Sequence, residues 1–409
     1  MADRFPLARI PDAVRGIAGR LQGAGHEAWF VGGAIRDVLL ELETGRAPRR
    51  SGDFDIATSA RPEEVQALFR RTVPVGIEHG TIAVLDEEGR THEVTTFRRD
   101  VKTDGRHAEV EFGVSLEDDL ARRDFTINAV AVHPESGDLR DPFGGRTDLA
   151  ARVVRAVGDA AARMREDRLR VLRALRFATA LDFTIDPGTW EAVHGSAQEL
   201  SGLSRERVRD EWLKTLATGR PSVAVGLWRR AGVLGEVWPE LAALPADADA
   251  GFDLVEGGDP VLVTAAMLYG AGQGPAGAAA AAQRLRFSNK DAERVRRTVA
   301  ALGVPLPDAR DGRAVRRWLA ANPAAADDVL GIVPKAIREP LAAAVRAERA
   351  SGAPLTLADL AVTGADLMAA GIAAGPGLGA TLRRLLEAAL DDPACNTREA
   401  LLALAREPR

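Results

Sequence analysis

A mixed α/β head followed by a long all-α arm is the architecture that this 409-residue sequence predicts. Three observations predict it. Short apolar segments of strand length, separated by glycine and polar turns, recur through residues 1–150. From about Gly158 onward strand signals fade, and Ala, Leu and Arg recur at three- and four-residue spacing. A chain of this length also exceeds one ordinary core and divides into roughly two to four domains. The boundaries expected are 1–150 for the head, 151–218 for a helical neck, 219–300 for a helical body and 301–409 for a helical tail.

The head opens with an amphipathic helix from Pro11 to Gly23, ended by Gly23 and Gly25. Ala28-Trp29-Phe30-Val31 is a compact apolar strand, and Gly32-Gly33 breaks it before a helix from Ala34 to Leu42. Arg46 to Gly52 reads as a polar loop. Asp53 to Ala57 then alternates acid and apolar side chains, a period-two pattern that sets Asp53 and Asp55 on one face. A helix over Pro62 to Phe69 and strands over Thr81–Leu85, His92–Phe97 and Ile127–His133 complete a sheet of about five strands. In the arm, helix breaks fall near Asp186-Pro187-Gly188, Gly219–Pro221, Gly257–Pro260, Gly270–Gly277, Pro305–Asp311 and Gly352–Pro354. The Ala-rich tract Gly277–Ala282 reads as a helix start, since Ala is the strongest helix former.

Composition narrows the class. Hydrophobic residues make up 46% and charged residues 28%, the balance of a folded chain. No run approaches the roughly 18 apolar residues that cross a bilayer, and Met1 to Ile10 lacks a secretory pattern. The single Cys395 excludes an internal disulfide and a cysteine metal cage. The expectation is a cytoplasmic protein without a membrane partner. A net charge of −5 gives no global attraction for a polyanion, so such a partner must be held by local basic surface. Between Arg152 and Arg176 eight arginines stand against three acids. Such a run is commonly a solvated helix face, and it equally suits RNA.

Chemistry enters at the two aspartates. Side chains at i and i+2 of a strand project together, so Asp53 and Asp55 can offer oxygen ligands to two Mg²⁺ ions. Paired ions of this kind serve in-line displacement at phosphorus. A lone Asp-x-Asp is common by chance, but Gly32-Gly33-x-x-Arg36-Asp37 lies about twenty residues upstream. Glycines between a strand and a helix let backbone N–H groups approach a phosphate. Arg36, one turn into that helix, can add charge-assisted hydrogen bonds. A phosphate cradle beside a carboxylate pair suits a nucleoside triphosphate.

With these residues in place the sequence resembles a known family, the class II tRNA nucleotidyltransferases and bacterial poly(A) polymerases. Gly32 to Asp37 followed by Asp53-Phe54-Asp55 is similar to the family's first motif, and Arg122-Arg123-Asp124-Phe125-Thr126-Ile127-Asn128-Ala129 to its second. Asp141-Pro142-Phe143-Gly144-Gly145, Glu166-Asp167-Arg168-Leu169-Arg170 and Ser204-Arg205-Glu206-Arg207 with Glu211 resemble the third, fourth and fifth. The likeness runs from Trp29 to about Leu216, and Thr363 to Leu367, Gly375-Pro376 and Asn396 to Glu399 are similar to CCA-adding tails.

The resemblance implies a polymerase-β-like nucleotidyltransferase head and template-independent addition of CCA to the tRNA 3′ end, from CTP and ATP with release of pyrophosphate. It implies catalytic and metal-binding roles for Asp53 and Asp55. Gly32, Gly33, Arg36, Arg123, Asp124, Asn128, Asp167 and Arg170 would bind the nucleotide, Arg123 at phosphate and Asp124 at a ribose 2′-OH. Glu93 is a candidate third carboxylate. Read as i and i+3 on one helix, Asp167 and Arg170 share a face and set an acceptor beside donors. Cytosine and adenine present a donor beside an acceptor, whereas uracil and guanine would mispair both groups at roughly 1–3 kcal/mol each. An intrahelical ion pair is the alternative reading of the two.

Gly76-Ile77-Glu78-His79-Gly80-Thr81 is similar to the CCA-adding form rather than to the basic stretch of poly(A) polymerases. Arg98 to Phe112 is expected to be a mobile loop linked to the switch from C to A, and its Arg106-His107-Ala108 leaves a CC- or A-adding enzyme as an alternative. A non-catalytic tRNA clamp is a further alternative, whose mark would be loss of the metal ligands; here they are present. For grip on the tRNA acceptor stem and 3′ end, the candidates are Arg173, Arg176, Arg284, Arg286, Arg294 and Arg297, reading shape through phosphates. No obligate protein partner is implied.

Overall fold

The computed structural model describes residues 4–45, 54–103, 108–245, 252–253 and 255–407. The expected Arg46–Gly52 loop, Asp53 and the Arg106-His107 pair lie outside them. The chain forms two compact units, residues 1–215 with 223–237, and residues 216–222 with 238–409.

The first unit is built on a seven-stranded mixed sheet. In chain order it contains α1 (Asp12–Gly23), β1 (Ala28–Val31), α2 (Gly33–Thr44), β2 (Asp55–Thr58), α3 (Pro62–Leu68), β3 (Thr72–Gly76), β4 (Thr81–Leu85), β5 (Thr91–Thr96), β6 (Arg98–Thr103), β7 (Ala108–Phe112), α4 (Leu116–Ala121), β8 (Ala131–Val132) and β9 (Leu139–Arg140). There follow α5 (Gly145–Ala151), β10 (Val153–Val154), α6 (Ala160–Glu166), α7 (Leu169–Leu181), β11 (Thr184–Ile185), α8 (Pro187–Gly195), α9 (Arg205–Leu216), α10 (Pro221–Arg230) and α11 (Val233–Val237). The main sheet runs β3-β4-β5-β2-β1-β8-β9. Only β2 and β5 run parallel in it, with Ile56 beside Val94, while β1 lies antiparallel to β2 with Val31 beside Asp55. The aspartate therefore sits at the start of a central strand, against the point where β1 turns into α2.

Two strands more than expected complete this sheet. Edge strand β3 was unreadable because Val73 and Val75 are exposed and Pro74 interrupts the ladder. The 127–133 segment begins as a 3-10 turn over Thr126–Asn128 and narrows to the two-residue β8, with β9 beyond it. The stretch expected as a loop, Arg98–Phe112, pairs as β6 and β7 in a separate antiparallel ladder. Charge on four of the six residues of β6 hid its period, whereas Ala108–Phe112 alternates apolar and acidic residues and carried a strand signal. A buried cluster of Val31, Ala57, Phe97, Leu116, Leu120, Ala129, Ala131 and Val157 ties the sheet to α4. Farther along, Trp212 of α9 meets Trp228 of α10 edge to face, with ring centroids 5.0 Å apart.

In the second unit the described residues hold helices and no strand: α12 (Pro260–Gly270), α13 (Pro275–Arg284), α14 (Asn289–Leu302), α15 (Gly312–Ala321), α16 (Ala326–Ile332), α17 (Lys335–Ala350), α18 (Gly364–Ala369), α19 (Pro376–Asp391) and α20 (Arg398–Arg406). Side-chain caps satisfy the free N–H groups at their starts, from Asp259, Ser288, Asp311, Thr363 and Thr397. One core gathers around Trp318, Val329 and Leu341, and another around Leu367, Leu385 and Leu401. Among the described residues no helix is long and apolar enough to cross a membrane.

Candidate active site

A cavity of about 550 Å³ opens in the first unit where β1, β2 and β5 face α7. Arg36, Arg98, Arg122, Arg123, Arg170, Arg173 and Arg207 line it against Asp55, Glu93, Asp124 and Asp167. Seven cations and four carboxylates face the cavity directly, in a chain whose net charge is −5. That balance suits an anionic ligand with several phosphates.

The turn from β1 into α2 is shaped by Gly32. Its φ of 87° and ψ of −157° belong to a region that essentially only glycine adopts. A Cβ built there would meet Asp55 Oδ2 at 2.6 Å, so the carboxylate lies flush against the backbone of the turn. Glu93 directly precedes Val94, the parallel partner of Ile56, so it shares a sheet face with Asp55. These hard oxygen donors fit a divalent cation such as Mg²⁺. Among the described residues no three His, Cys, Asp or Glu side chains gather into a metal cluster, Asp53 lying outside them. Arg36, a candidate for phosphate, lines the cavity while held by neighbours. It is buried, donates to Asp37 Oδ1 from Nε (2.8 Å) and Nη2 (2.6 Å) and to Asn128 Oδ1 from Nη1 (2.8 Å), and lies over the Phe177 ring at 5.1 Å.

The arginines of Arg122-Arg123-Asp124 are held from beneath by Asp119, which is 1% exposed. Its Oδ1 accepts from Arg122 Nε (2.9 Å) and Nη2 (2.7 Å), and its Oδ2 from Arg123 Nη2 (3.2 Å). Burial pushes this carboxyl up, but the two guanidinium groups outweigh it and leave the group below its usual range. Asp124 is also buried. Its Oδ1 accepts from Phe125 N–H (2.8 Å) and Asn128 Nδ2 (2.9 Å), its Oδ2 accepts from Arg173 Nε (2.8 Å), and the ion pair brings Arg173 Nη2 to 2.6 Å of Oδ2. Here too burial raises the carboxyl, and Arg173, Asn128 and the Phe125 N–H bring it down to about 2.

Asp167 and Arg170 both line the cavity, but not as two positions of one helix. Helix α6 ends at Glu166, Asp167 is extended (φ −143°, ψ 103°), and α7 begins at Leu169. Asp167 accepts from Leu169 N–H (3.0 Å) and from Arg207 Nη2 (2.8 Å). Arg170 donates to the carbonyls of Arg163 (3.0 Å) and Arg122 (2.8 Å), and its ion pair is with Glu166 (2.8 Å) rather than Asp167.

The arginines expected to grip RNA have acidic partners inside the fold. Arg173 holds Asp124. Arg176 holds Glu211 (2.6 Å) with its guanidinium 4.2 Å from the Phe177 centroid. In the second unit Arg284 pairs with Glu240 (2.6 Å), Arg294 with Asp328 (2.7 Å) and Asp259 (2.8 Å), and Arg297 with Asp328 at 3.7 Å. Arg286 follows α13 in a left-handed conformation, φ 58°. Asp119, Phe177 and Arg98 escaped the sequence reading as site residues, and Arg207 was seen only as part of a motif. Asp119 had a readable signal, since it stands three and four residues before Arg122 and Arg123, the spacing of helical ion pairs. Phe177 had none.

Family sequence profiles match along this frame: a poly A polymerase head domain over residues 28–155, a probable RNA- and SrmB-binding site of polymerase A over 182–244, and a putative domain 2 of tRNA nucleotidyltransferase over 262–405. The fold is similar to that of the Bacillus stearothermophilus CCA-adding enzyme in complex with CTP, with a TM-score of 0.81 and 32% identity, covering 96% of each chain. The chain belongs to the tRNA nucleotidyltransferase and poly(A) polymerase family. Family members are metal-dependent nucleotidyltransferases. A CCA-adding enzyme of Anoxybacillus flavithermus is 46% identical over 224 residues, 54% of either chain, and one of Streptococcus pyogenes is 50% identical over 199 residues, 48% of this chain and 47% of that one. These alignments span about half the length of the curated relatives. A Thermotoga maritima CCA-adding enzyme complexed with tRNA shares the nucleotidyltransferase fold at a TM-score of 0.68 and 19% identity, each chain covered in full.

Proposed function

We propose that the protein adds CCA to the 3′ end of tRNA without a nucleic-acid template, using CTP and ATP and releasing pyrophosphate. The observation that carries this reading is the cavity itself: a glycine turn flush against Asp55, ringed by seven arginines, in a chain alike over 96% of its length to a CCA-adding enzyme solved with CTP. Gly32 and Gly33 open backbone N–H groups to a triphosphate, and Arg122 and Arg123, braced by Asp119, present fixed guanidinium groups to its charge. Asp53 and Asp55 would hold two Mg²⁺, with Glu93 beside them; bound there, the metal supplies Lewis-acid stabilisation of the phosphoryl oxygens. Asp167, oriented by Arg207, and Arg170, fixed by two carbonyls, face the base and favour cytosine and adenine. The sequence boundaries then become functional ones: head 1–150 for chemistry, neck 151–218 for base choice, body 219–300 and tail 301–409 for the tRNA. A cytoplasmic location suits such a substrate.

The test is incorporation of labelled CTP and ATP, with Mg²⁺, into tRNA transcripts ending at the discriminator base, at C and at CC. Extension of all three to CCA is the expected result. Arrest at CC, or use of the CC transcript alone, would reassign the protein to partial addition. Long A tracts would reassign it to the polymerases.

A further inference from the structure

A second cavity, of about 420 Å³, opens in the first unit at the C-terminal end of α7. Among the described residues none lines both cavities: α7 gives Arg170, Arg173 and Phe177 to the first, and Ala178 to this one. Its size is that of a small-molecule site rather than of a packing void. Phe183, Ile185 and Trp190 wall it from one side of α7, and Val223 and Leu227 of α10 from the other. Two of the lining residues carry charge, Asp182 and Arg230. Both are exposed, which sets them at the mouth. Asp182 stands in the left-handed turn that ends α7, φ 60°, and Arg230 is the last residue of α10. Among the described residues the Arg230 guanidinium has no hydrogen bond or ion pair within the fold.

These charges discriminate between ligands. A neutral apolar molecule fills the walls but covers the Arg230 donors without replacing their water. A simple carboxylate satisfies Arg230 and meets Asp182 as a like charge, and a simple cation has the reverse fault. A nucleotide sets the polar edge of its base against apolar walls and its phosphate against Asp182. A zwitterion with an apolar body has none of these faults. Its carboxylate accepts charge-assisted hydrogen bonds from Arg230, its ammonium donates to Asp182, and its side chain lies among Phe183, Trp190 and Leu227. We propose that this cavity binds a free α-amino acid with an aliphatic or aromatic side chain. The site stands independently of the nucleotide reading of the first cavity.

The experiment is titration calorimetry of the full chain with L-leucine, L-methionine and L-phenylalanine, then with the N-acetyl and amide derivatives of the tightest binder. At least one of the three is expected to bind, and each derivative, having lost one charge, to bind about tenfold more weakly. Absence of binding by all three at about 10 mM overturns the proposal. A derivative that binds as tightly as its parent overturns the zwitterion and leaves a site for a single charge. Arg230→Ala and Asp182→Asn are each expected to weaken binding about tenfold, with the melting temperature of the free protein unchanged. Asn is chosen because it too tolerates the left-handed turn. Unchanged affinity in both variants places the amino acid elsewhere and overturns the site. Loss of tRNA affinity in R230A, with no amino acid bound by the wild type, would assign the mouth to RNA instead.

Discussion

Asp119 concentrates more of the site's geometry than any residue the motifs named. It is a buried carboxylate whose oxygens are engaged by two neighbouring guanidinium groups. Removing one partner of a buried pair strands the other charge. Asp119→Ala is therefore expected to lower stability by roughly 3 kcal/mol, read from urea midpoints, and to raise the KM for CTP more than it lowers kcat. Asp124 makes a prediction in pH. Its folded value of about 2 lies below the ordinary 3.8, so its stabilisation is present in full above about pH 4 and is lost as pH falls through about 2. That loss is worth about 2 kcal/mol. Asp124→Asn should flatten the acid limb of a melting-temperature profile between those values; an unchanged limb would place the acid sensitivity elsewhere. At this level the sequence was legible wherever residue type implied chemistry, as at Gly32, Asp55 and Asp124. It was silent on which partner each charge would take. Arg36 faces Asn128, distant by 92 positions, and no local pattern carries that pairing.

Helix α14 shows how an element can turn a basic run into structure. Arg294 projects from it to the Asp259 cap of α12 and to Asp328 of α16, so one side chain ties three helices together. Arg294→Ala is expected to cost roughly 3 kcal/mol of stability, measured by chemical denaturation, with tRNA affinity at low temperature changing less than stability does. A large loss of affinity at unchanged stability would return Arg294 to the RNA surface. Buried elements, the apolar runs β1 and β4, the alternating β5 and most helices of the arm, were readable from their own residues. The exceptions share a cause. β3 is exposed and carries proline, β6 is charged along its length, β7 alternates but over only five residues, and β8 and β9 are two residues each. Asp167 and Arg170 were set on one helix because their spacing allowed it. The break between α6 and α7 depends on packing of the segment, and no glycine or proline marks it.

For the molecule as a whole, charge is unevenly spent. Seven arginines converge on one cavity, most of them braced by acids, and several basic residues of the second unit face acids of their own as well. Few of the latter remain to release counterions from a bound polyanion. The dependence of log K on log salt for tRNA binding is accordingly expected to be shallow, a slope of magnitude about 2–4 between roughly 50 and 200 mM salt. A slope near 6 or beyond, by filter binding, would show that the ion pairs open to make way for phosphates. The two-part division, an α/β start and an all-helical remainder, was legible because the period changes from two to 3.6 residues along the chain. That the 223–237 segment rejoins the first unit was not, since its helices carry the same pattern as their neighbours.

That returning segment brings with it an optical handle. Trp212 and Trp228 are fully buried, 5.0 Å apart and inclined by 69°, close enough for their excited states to couple. Such a pair contributes a circular-dichroism couplet that isolated indoles do not. The remaining four of the six tryptophans would report through ordinary fluorescence. The couplet disappears when α10 leaves α9, so detachment of the segment and loss of the helical arm could be followed at different wavelengths in one unfolding experiment, with no label added.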